Sequence, residues 1–303
     1  MTTNIDFESS HLHPGWDPPD NDAMDADPDA AERAERGAAQ QRYAQYLTNT
    51  HEPPTPSETI ANAVLFMREG SDPVAVDMQD VAQRNLDDCF LHATLAAVAQ
   101  RPAGQALLQH AIAENRNGGG DVVSYTVTLH KPEYHLFGLG RTTFTDVKVT
   151  VDASFLRGHA KAREDRGQHE VWPLVMEKAY AQYVGDDGHF RGGGFAYEAM
   201  EIVTGMPAQL IELGLFHGYS ASRLQSDLAA GKIVTFKTRN EIDPTKDDCG
   251  LVGCHEYTVT GLVQIDGKPC VTLHNPYGQD HPPPIPYDRV RDWFEAVSVG
   301  SVP

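Results

Sequence analysis

Residues 83–102 read QRNLDDCFLHATLAAVAQRP, an apolar segment that begins at a cysteine, Cys89. The apolar residues after this cysteine have the three- and four-residue spacing of one helix face: Phe90, Leu91, Leu95 and Val98. Pro102 ends the pattern. We therefore predict a buried helix whose first residue is Cys89. Since a buried helix also accepts cysteine as a small apolar residue, a chemical role needs support from elsewhere in the chain.

Two features of this segment favour a chemical role for Cys89. The amino end of a helix carries partial positive charge, which stabilises a thiolate, the reactive form of cysteine. Gln83 lies six residues before the cysteine, and its side-chain amide is the type of donor that stabilises an oxyanion. A thiol at neutral pH also needs a base that takes its proton, and an imidazole serves this purpose.

A predicted β-hairpin near the C-terminal end of the chain supplies a histidine and an asparagine. Two β-rich runs, HEYTVTGLV and PCVTLHN, are separated by QIDG, in which Asp266 and Gly267 are a strong hairpin turn signal. Pairing about this turn places Asn275 opposite Thr258, and a bulge of one or two residues brings Asn275 towards His255. The two side chains are thus predicted at the same end of the sheet, where the asparagine can orient the imidazole.

The remaining patterns predict an α+β protein. EVWPLVMEKAYAQYVG (residues 170–185) has helical spacing, whereas DVVSYTVTLH and TTFTDVKVTVD alternate as strands do. We predict a mostly helical part over residues 58–182 that carries Cys89. The chain is predicted to become mainly β after Lys232.

Composition excludes several classes of partner. The net charge of −19 argues against a nucleic acid or an anionic membrane, and no apolar run reaches the roughly 18 residues of a membrane span. Residues 1–60 contain 12 Asp or Glu against 3 Arg, with clustered prolines, and are predicted to be a disordered acidic tail. Such a tail serves solubility or, alternatively, docking, secretion or inhibition. The chain lacks a signal peptide pattern, so a cytoplasmic location is the default and export without a cleavable signal is the alternative.

Five motifs, taken in order, resemble the protease core of calpain-like cysteine peptidases: QRNLDDC, VWPLVMEKAYAQYVG, GGGFAYEAMEIVTG, LVGCHEYTVTGL and LHNPYG. The resemblance runs from about residue 77 to 278. It implies a papain-like fold with a helical lobe over residues 61–190, a β-rich lobe over residues 191–303, and an active site between them. It also implies that Cys89 is the nucleophile, His255 the general base and acid, and Asn275 the residue that orients the imidazole. Gln83 is implied as an oxyanion-hole donor beside the backbone N–H of Cys89.

The chain departs from this family at four positions near the site. Arg84 and Phe90 replace a usual Gly and Trp, and Tyr277 replaces a Trp after the Asn-Pro pair. Asp87 replaces a small residue, and its negative charge disfavours a nearby thiolate unless it faces solvent or is paired.

Calcium activates the animal members of this family, and part of one site is recognisable here. Asp80 and Glu170 match two carboxylate ligands of the helical lobe. Calcium takes 6 to 8 oxygen ligands, so two carboxylates do not make a complete site. We therefore predict an enzyme that requires no cofactor, with calcium binding at Asp80 and Glu170 as the alternative.

The sequence favours a cysteine endopeptidase that cleaves protein or peptide substrates through an acyl-enzyme. An amidase, deamidase or acyl transferase with the same three residues remains open, because the acyl-enzyme is common to all of them. A degenerate module that binds peptide without cutting it is the third possibility. Calpain-like cores without calcium-sensing domains also occur in bacterial proteins, including exported effectors, so an inhibitor or chaperone acting on residues 1–60 is an expected partner.

Overall fold

The structure is a computed structural model, and it describes ten parts of the chain: residues 57–68, 70, 74–84, 86–134, 142–156, 160, 162–185, 193–214, 218–242 and 250–303. Residues 1–56, and with them nearly all of the predicted acidic tail, lie outside the described residues, so disorder there stays a prediction. In the parts described, no helix combines the length and apolarity that crossing a membrane requires.

Helices and antiparallel sheets are both present, which confirms the α+β class. The described ranges contain six α-helices: α1 (Cys89–Ala99), α2 (Pro102–Ala111), α3 (Trp172–Val184), α4 (Ala196–Thr204), α5 (Ala221–Ala229) and α6 (Val290–Trp293). Two 3₁₀ turns are Met78–Asp80 and Tyr287–Arg289. As predicted, Cys89 is the first residue of its helix. Pro102 lies just beyond that helix and also starts α2, where a missing N–H is tolerated.

The same ranges contain fourteen strands: β1 (Ser57–Thr59), β2 (Ala63–Val64), β3 (Ile112–Arg116), β4 (Val122–Glu133), β5 (Thr143–Asp152), β6 (Ser154–Leu156), β7 (Arg163–Asp165), β8 (Gln168–Glu170), β9 (Gln209–Glu212), β10 (Ile233–Thr238), β11 (Glu256–Ile265), β12 (Lys268–His274), β13 (Ile285–Pro286) and β14 (Phe294–Gly300). The largest described sheet has the order β13-β12-β11-β10-β14-β9 and is antiparallel throughout. A second antiparallel sheet joins β3, β4 and β5, and two small sheets join β1 with β6 and β2 with β8 and β7.

Residues 58–182 contain more strand than the sequence pattern predicted. The strands β4 and β5 pair over ten residue positions, and alternate residues of β4 are buried against α3 and α4: Tyr125, Val127 and Leu129. This alternation is what a strand with one buried face requires. The prediction of a mostly helical part is therefore only partly right, because a three-stranded sheet shares the core of α1 and α3.

The hairpin of β11 and β12 has the predicted turn and the predicted bulge. Asp266 and Gly267 have φ angles of 50° and 74°, the positive values that a tight hairpin turn of this type demands. The register shifts near Gly261 because of a bulge. Asn275, directly after β12, and His255, directly before β11, therefore lie at the same end of the sheet.

Buried apolar side chains form two clusters. The first core surrounds α1, α3, α4 and the sheet of β3, β4 and β5, and its largest members include Trp172, Leu91 and Met200. The second core lies on the six-stranded sheet and α5, with Phe236, Tyr257 and Phe294 among its largest members. Helix α1 also contacts the six-stranded sheet: the Thr258 hydroxyl of β11 donates to the Ala93 carbonyl at 2.6 Å. This bond ties the cysteine helix to the hairpin strand.

Candidate active site

Cys89 lies at the start of α1, where the first helical N–H groups have no partner within the helix. The residue keeps partial exposure, while its sulfur is enclosed by protein and receives the backbone N–H of Glu256. Burial raises the pKa of this thiol to about 12, and the negative charge of Glu256 adds to the increase. The structure thus favours the neutral thiol until a base accepts its proton.

His255 and Asn275 form a buried pair. The imidazole Nε2 lies 2.9 Å from the Asn275 side-chain oxygen, and both residues are almost fully buried. The same oxygen accepts the backbone N–H of Tyr277 at 3.1 Å, while the Asn275 amide nitrogen donates to the Asp280 carbonyl at 3.3 Å. Because these contacts make the oxygen an acceptor, Nε2 carries the proton of the neutral imidazole and Nδ1 is left as the basic nitrogen.

Burial lowers the pKa of His255, and the hydrogen bond with Asn275 opposes this effect. The imidazole is therefore neutral near pH 7 and available to accept a proton. Aromatic side chains enclose it: the Tyr277 ring lies 4.5 Å from the imidazole, and the Tyr257 ring lies 4.9 Å away, edge-on. The packing fixes the plane of the imidazole.

The loop after β12 also contacts the segment that carries Gln83. The Gln83 backbone N–H donates to the Pro276 carbonyl at 2.8 Å, and Gly278 lies against Val81 and Ala82. Burial raises the pKa of Tyr277, and the negative charge of a Cys89 thiolate raises it further. The structure therefore brings all four predicted residues, Cys89, His255, Asn275 and Gln83, to one region.

The side chain of Gln83 is buried and turned back towards its own loop. Its amide nitrogen donates to the Leu86 carbonyl at 2.6 Å, whereas its oxygen has no hydrogen-bond partner within the described ranges. An amide nitrogen carries two hydrogens, so one N–H remains for a further acceptor. This arrangement is compatible with donation to an oxyanion.

Two of the family departures, Asp87 and Phe90, are accommodated by exposure to solvent and by local packing respectively. The Asp87 side chain is exposed, so water screens its charge. Phe90 is buried, and its ring meets Tyr180 edge-on at 6.1 Å. Gly194 lies so close to Phe90 that a Cβ there would be 2.6 Å from the ring. A larger residue at position 194 would therefore force the Phe90 ring or the loop before α4 to shift.

Sequence reasoning missed Glu256, which follows His255 directly. Its carboxyl group is buried and accepts the Thr235 hydroxyl at 2.6 Å. Burial raises its pKa to about 7, and the hydrogen bond from Thr235 and the charge of Lys237 oppose the rise. A single charged residue at the start of an otherwise uncharged strand was the available signal.

Sequence reasoning also missed a cluster of three buried titratable side chains, which begins at the residue before Cys89. Asp88, His92 and Glu177 are fully buried, and one potential ligand atom from each lies within 4.8 Å of the others. The four-residue spacing of Asp88 and His92 on a helix was a signal that they face each other.

The two residues suggested as calcium ligands are occupied by protein contacts. The Asp80 carboxylate accepts three donors: the Asp77 N–H at 2.7 Å, the Trp172 indole N–H at 3.1 Å and the Arg163 guanidinium at 3.3 Å. Glu170 is fully buried and accepts the Met67 N–H at 2.7 Å. Burial raises the pKa of Asp80 to about 6. A carboxylate bonded to a guanidinium and an indole does not fit a calcium ligand.

Comparisons with known proteins show the family to which this chain belongs. Residues 48–295 match the family described as calpain family cysteine protease. Calpain-9 of Rattus norvegicus is 27% identical over 207 residues, which cover 66% of this chain and 28% of that protein. Calpain clp-1 of Caenorhabditis elegans is 26% identical over 223 residues, 71% of this chain and 27% of that protein. The calpain-type cysteine protease DEK1 of Zea mays is 24% identical over 219 residues, 68% of this chain and 9% of that protein.

The chain thus spans less than a third of the length of these curated relatives. The family match nevertheless extends over most of the chain and includes the cysteine helix, the hairpin and the loop after it. The chain belongs to the calpain family of cysteine proteases.

Proposed function

We propose that this chain is a cysteine endopeptidase that cleaves protein substrates with Cys89 as nucleophile, His255 as general base and acid, and Asn275 as the residue that orients the imidazole. The observation that carries the proposal is the 2.9 Å contact between His255 Nε2 and the Asn275 oxygen, at the sheet end nearest the start of α1. This contact assigns the proton to Nε2 and leaves Nδ1 to accept the thiol proton.

The reaction then has two halves. His255 Nδ1 takes the Cys89 proton, and the thiolate attacks the carbonyl carbon of the scissile peptide bond. The imidazolium gives that proton to the leaving nitrogen, the C–N bond breaks, and a thioester remains on Cys89. Water, deprotonated by the same imidazole, attacks the thioester, releases the acid product and restores the thiol.

Two donors are suited to the negative oxygen that forms in each half. The backbone N–H of Cys89 is at a helix start, where it has no intrahelical acceptor. Gln83 retains one amide N–H after its bond to Leu86. Removing a single donor of this kind typically lowers kcat by about 10²- to 10³-fold.

A papain-like arrangement of two lobes is part of this proposal. The cysteine helix belongs to the first core, whereas the histidine and asparagine border the second core. A substrate bound between the two cores would contact elements of both. Extended, unfolded segments of proteins are the proposed substrates, since an extended backbone can reach both sides of such a cleft.

Calcium independence is also proposed. Asp80 already accepts backbone, indole and guanidinium donors, and Glu170 accepts a backbone N–H, so both carboxylates have protein partners. Because the nucleophile must be a free thiol, we place the active enzyme in a reducing compartment such as the cytoplasm. Residues 1–60 are proposed as the contact of an inhibitor or chaperone.

A second candidate is a peptide-binding module without turnover. The raised pKa of Cys89 and the buried Glu256 carboxyl beside it favour this candidate, because both oppose formation of the thiolate. The two candidates differ in whether Cys89 reacts with an electrophile placed in the cleft.

The first test is the intact mass of the full chain after incubation with an epoxide inhibitor of cysteine proteases. We expect one adduct, located on Cys89 by peptide mapping, at the same rate in EGTA and in millimolar calcium. Cys254 is an exposed thiol, so Cys254→Ala serves as the control that keeps the adduct, whereas His255→Ala is expected to lose it. Masses of the products of an unfolded protein then separate hydrolysis from acyl transfer.

The absence of an adduct in the full chain and in a variant lacking residues 1–60 would refute the proposed activity. An adduct that forms only with calcium would refute calcium independence while leaving the nucleophile in place.

A further inference from the structure

We propose that His281 is a positioning residue for the orienting asparagine, through a hydrogen bond to the backbone of Asn275. This inference rests on the proposed function, because it concerns how the Asn275 oxygen is kept against His255. The motifs that resemble the calpain family end at Gly278, so His281 lies outside them.

The loop after β12 turns back onto its own first residue. Asn275 directly follows β12, and its backbone N–H donates to His281 Nδ1 at 3.0 Å. Its carbonyl accepts the Gly278 N–H at 3.0 Å, and its side-chain nitrogen donates to the Asp280 carbonyl at 3.3 Å. Its side-chain oxygen lies 2.9 Å from His255 Nε2, so each of the four polar atoms of Asn275 has a partner.

Within this loop, the bond to His281 is the one that depends on the side chain of the partner. The contacts from Gly278 and Asp280 use backbone atoms of those residues. An imidazole nitrogen accepts a hydrogen bond only when it carries no hydrogen, so His281 has its hydrogen on Nε2 and accepts with Nδ1. The identity of residue 281 therefore decides whether the Asn275 backbone keeps this anchor.

Packing holds the His281 ring in the orientation that this bond requires. The ring centroid lies 4.4 Å from that of His274, with 31° between the two planes, and His274 is almost fully buried. Three prolines follow at positions 282–284, and the first of them is buried. Because proline fixes its own φ and restricts the residue before it, the backbone at His281 has few alternative conformations. His281 is thus an exposed residue whose ring is nevertheless held in place.

The position of Asn275 in turn determines the position of His255. Both residues are almost fully buried, and the Asn275 oxygen is the hydrogen-bond partner of the imidazole Nε2. A misplacement of about 1 Å at a reacting group can lower the rate by about 100-fold. Loss of the His281 anchor leaves the other contacts of Asn275 in place, so we expect a smaller loss, of about 10-fold.

The test compares two substitutions that separate the acceptor from the ring. His281→Phe keeps a ring that can pack on His274 but has no acceptor, whereas His281→Asn keeps an acceptor bonded to Cγ and loses the ring. With quenched fluorescent casein as substrate, His281→Phe should lower kcat by about 10-fold and change KM by less than about twofold. His281→Asn should keep at least about half of kcat. The exposed-site control His110→Gln should match the parent.

Two further measurements separate positioning from a general structural role. In an Asn275→Ala background, His281→Phe should change kcat by less than about twofold, because the group that it positions is gone. In a Cys89→Ala background, NMR measures hydrogen exchange of the Asn275 backbone amide. Exchange should be at least about 10 times faster in His281→Phe than in His281→Asn.

Two results would overturn the proposal. One is an equal kcat in the parent and in His281→Phe. The other is a larger loss of kcat in His281→Asn than in His281→Phe, which would assign the effect to ring packing. If His281→Phe does not fold, His281→Ala takes its place, since the Ala and Asn variants both lack the ring and differ in the acceptor. Failure of the proposed function has a different signature: the parent itself would show no turnover, while the exchange rates would still decide whether His281 anchors Asn275.

Discussion

Replacing His274 should remove part of the acid sensitivity of this fold. His274 ends β12 and is almost fully buried, with its ring 4.4 Å from His281 and no hydrogen-bond partner for Nε2 in the part of the chain described. Burial lowers its pKa from 6.5 to about 4, and the charge of His281 adds to this effect. The folded chain therefore resists protonation of a group that the unfolded chain protonates readily.

The sign and size of the effect follow from these two pKa values. Above pH 6.5 the group is neutral in both states and contributes nothing to the pH dependence. As the pH falls from 6.5 to 4 the unfolded state gains a proton that the folded state does not, so stability is lost. The loss amounts to about 2 kcal/mol at about pH 5 and to about 3 kcal/mol once the pH is below 4.

The assay is urea unfolding followed by tryptophan fluorescence, in a Cys89→Ala background that prevents self-cleavage. The free energy of unfolding is compared at about pH 7.5 and about pH 5 for the parent, for His274→Leu and for the exposed-site control His110→Gln. We expect the drop between the two pH values to be about 2 kcal/mol smaller in His274→Leu than in the other two. Equal drops in all three proteins would refute the reasoning.

Three further predictions concern single positions. Asn275→Ala should lower kcat by about 100-fold with KM nearly unchanged, because the substitution misplaces the imidazole without removing it. An unchanged kcat in this variant would contradict the orienting role of Asn275. Cys89→Ala, by comparison, should abolish turnover. Gly194→Ala should cost about 1–3 kcal/mol in urea unfolding, since its Cβ would be 2.6 Å from Phe90, and the double variant with Phe90→Leu should recover part of this loss. Cys254→Gly should raise the free energy of unfolding by about 0.5–1 kcal/mol, because the exposed cysteine has a φ of 53°, a backbone conformation that strains every residue except glycine. A lower free energy of unfolding would show that the cysteine side chain stabilises the fold by more than this strain.

The parts that the sequence predicted well depend on local chemistry. The Asp266-Gly267 pair determines where the hairpin turns, and the apolar spacing after Cys89 determines where a helix can lie. Both features act over a few residues, so they are readable without the fold. The bulge near Gly261 was expected only because His255 and Asn275 needed to meet.

The parts that were missed depend on contacts between distant segments. The proximity of His92 to Glu177 was not predicted, since Glu177 comes from a helix 85 positions later (177 − 92). Likewise, the strands β4 and β5 were recognised, but not that their sheet packs against the helices of the first core. Tertiary packing of this kind has no short-range signature in the sequence.

The hydrogen bond from Gln83 to Pro276 and the position of His255 have a consequence for protein synthesis. During synthesis the ribosome adds His255 166 residues after Cys89 (255 − 89). At a translation rate of about 5–20 residues per second, this interval lasts roughly 8–33 s. During that time the nascent chain holds the nucleophile without its base and without the loop that supports Gln83. In the proposed mechanism the growing polypeptide therefore cannot cleave its neighbours, or itself, until His255 and the loop after β12 have been translated.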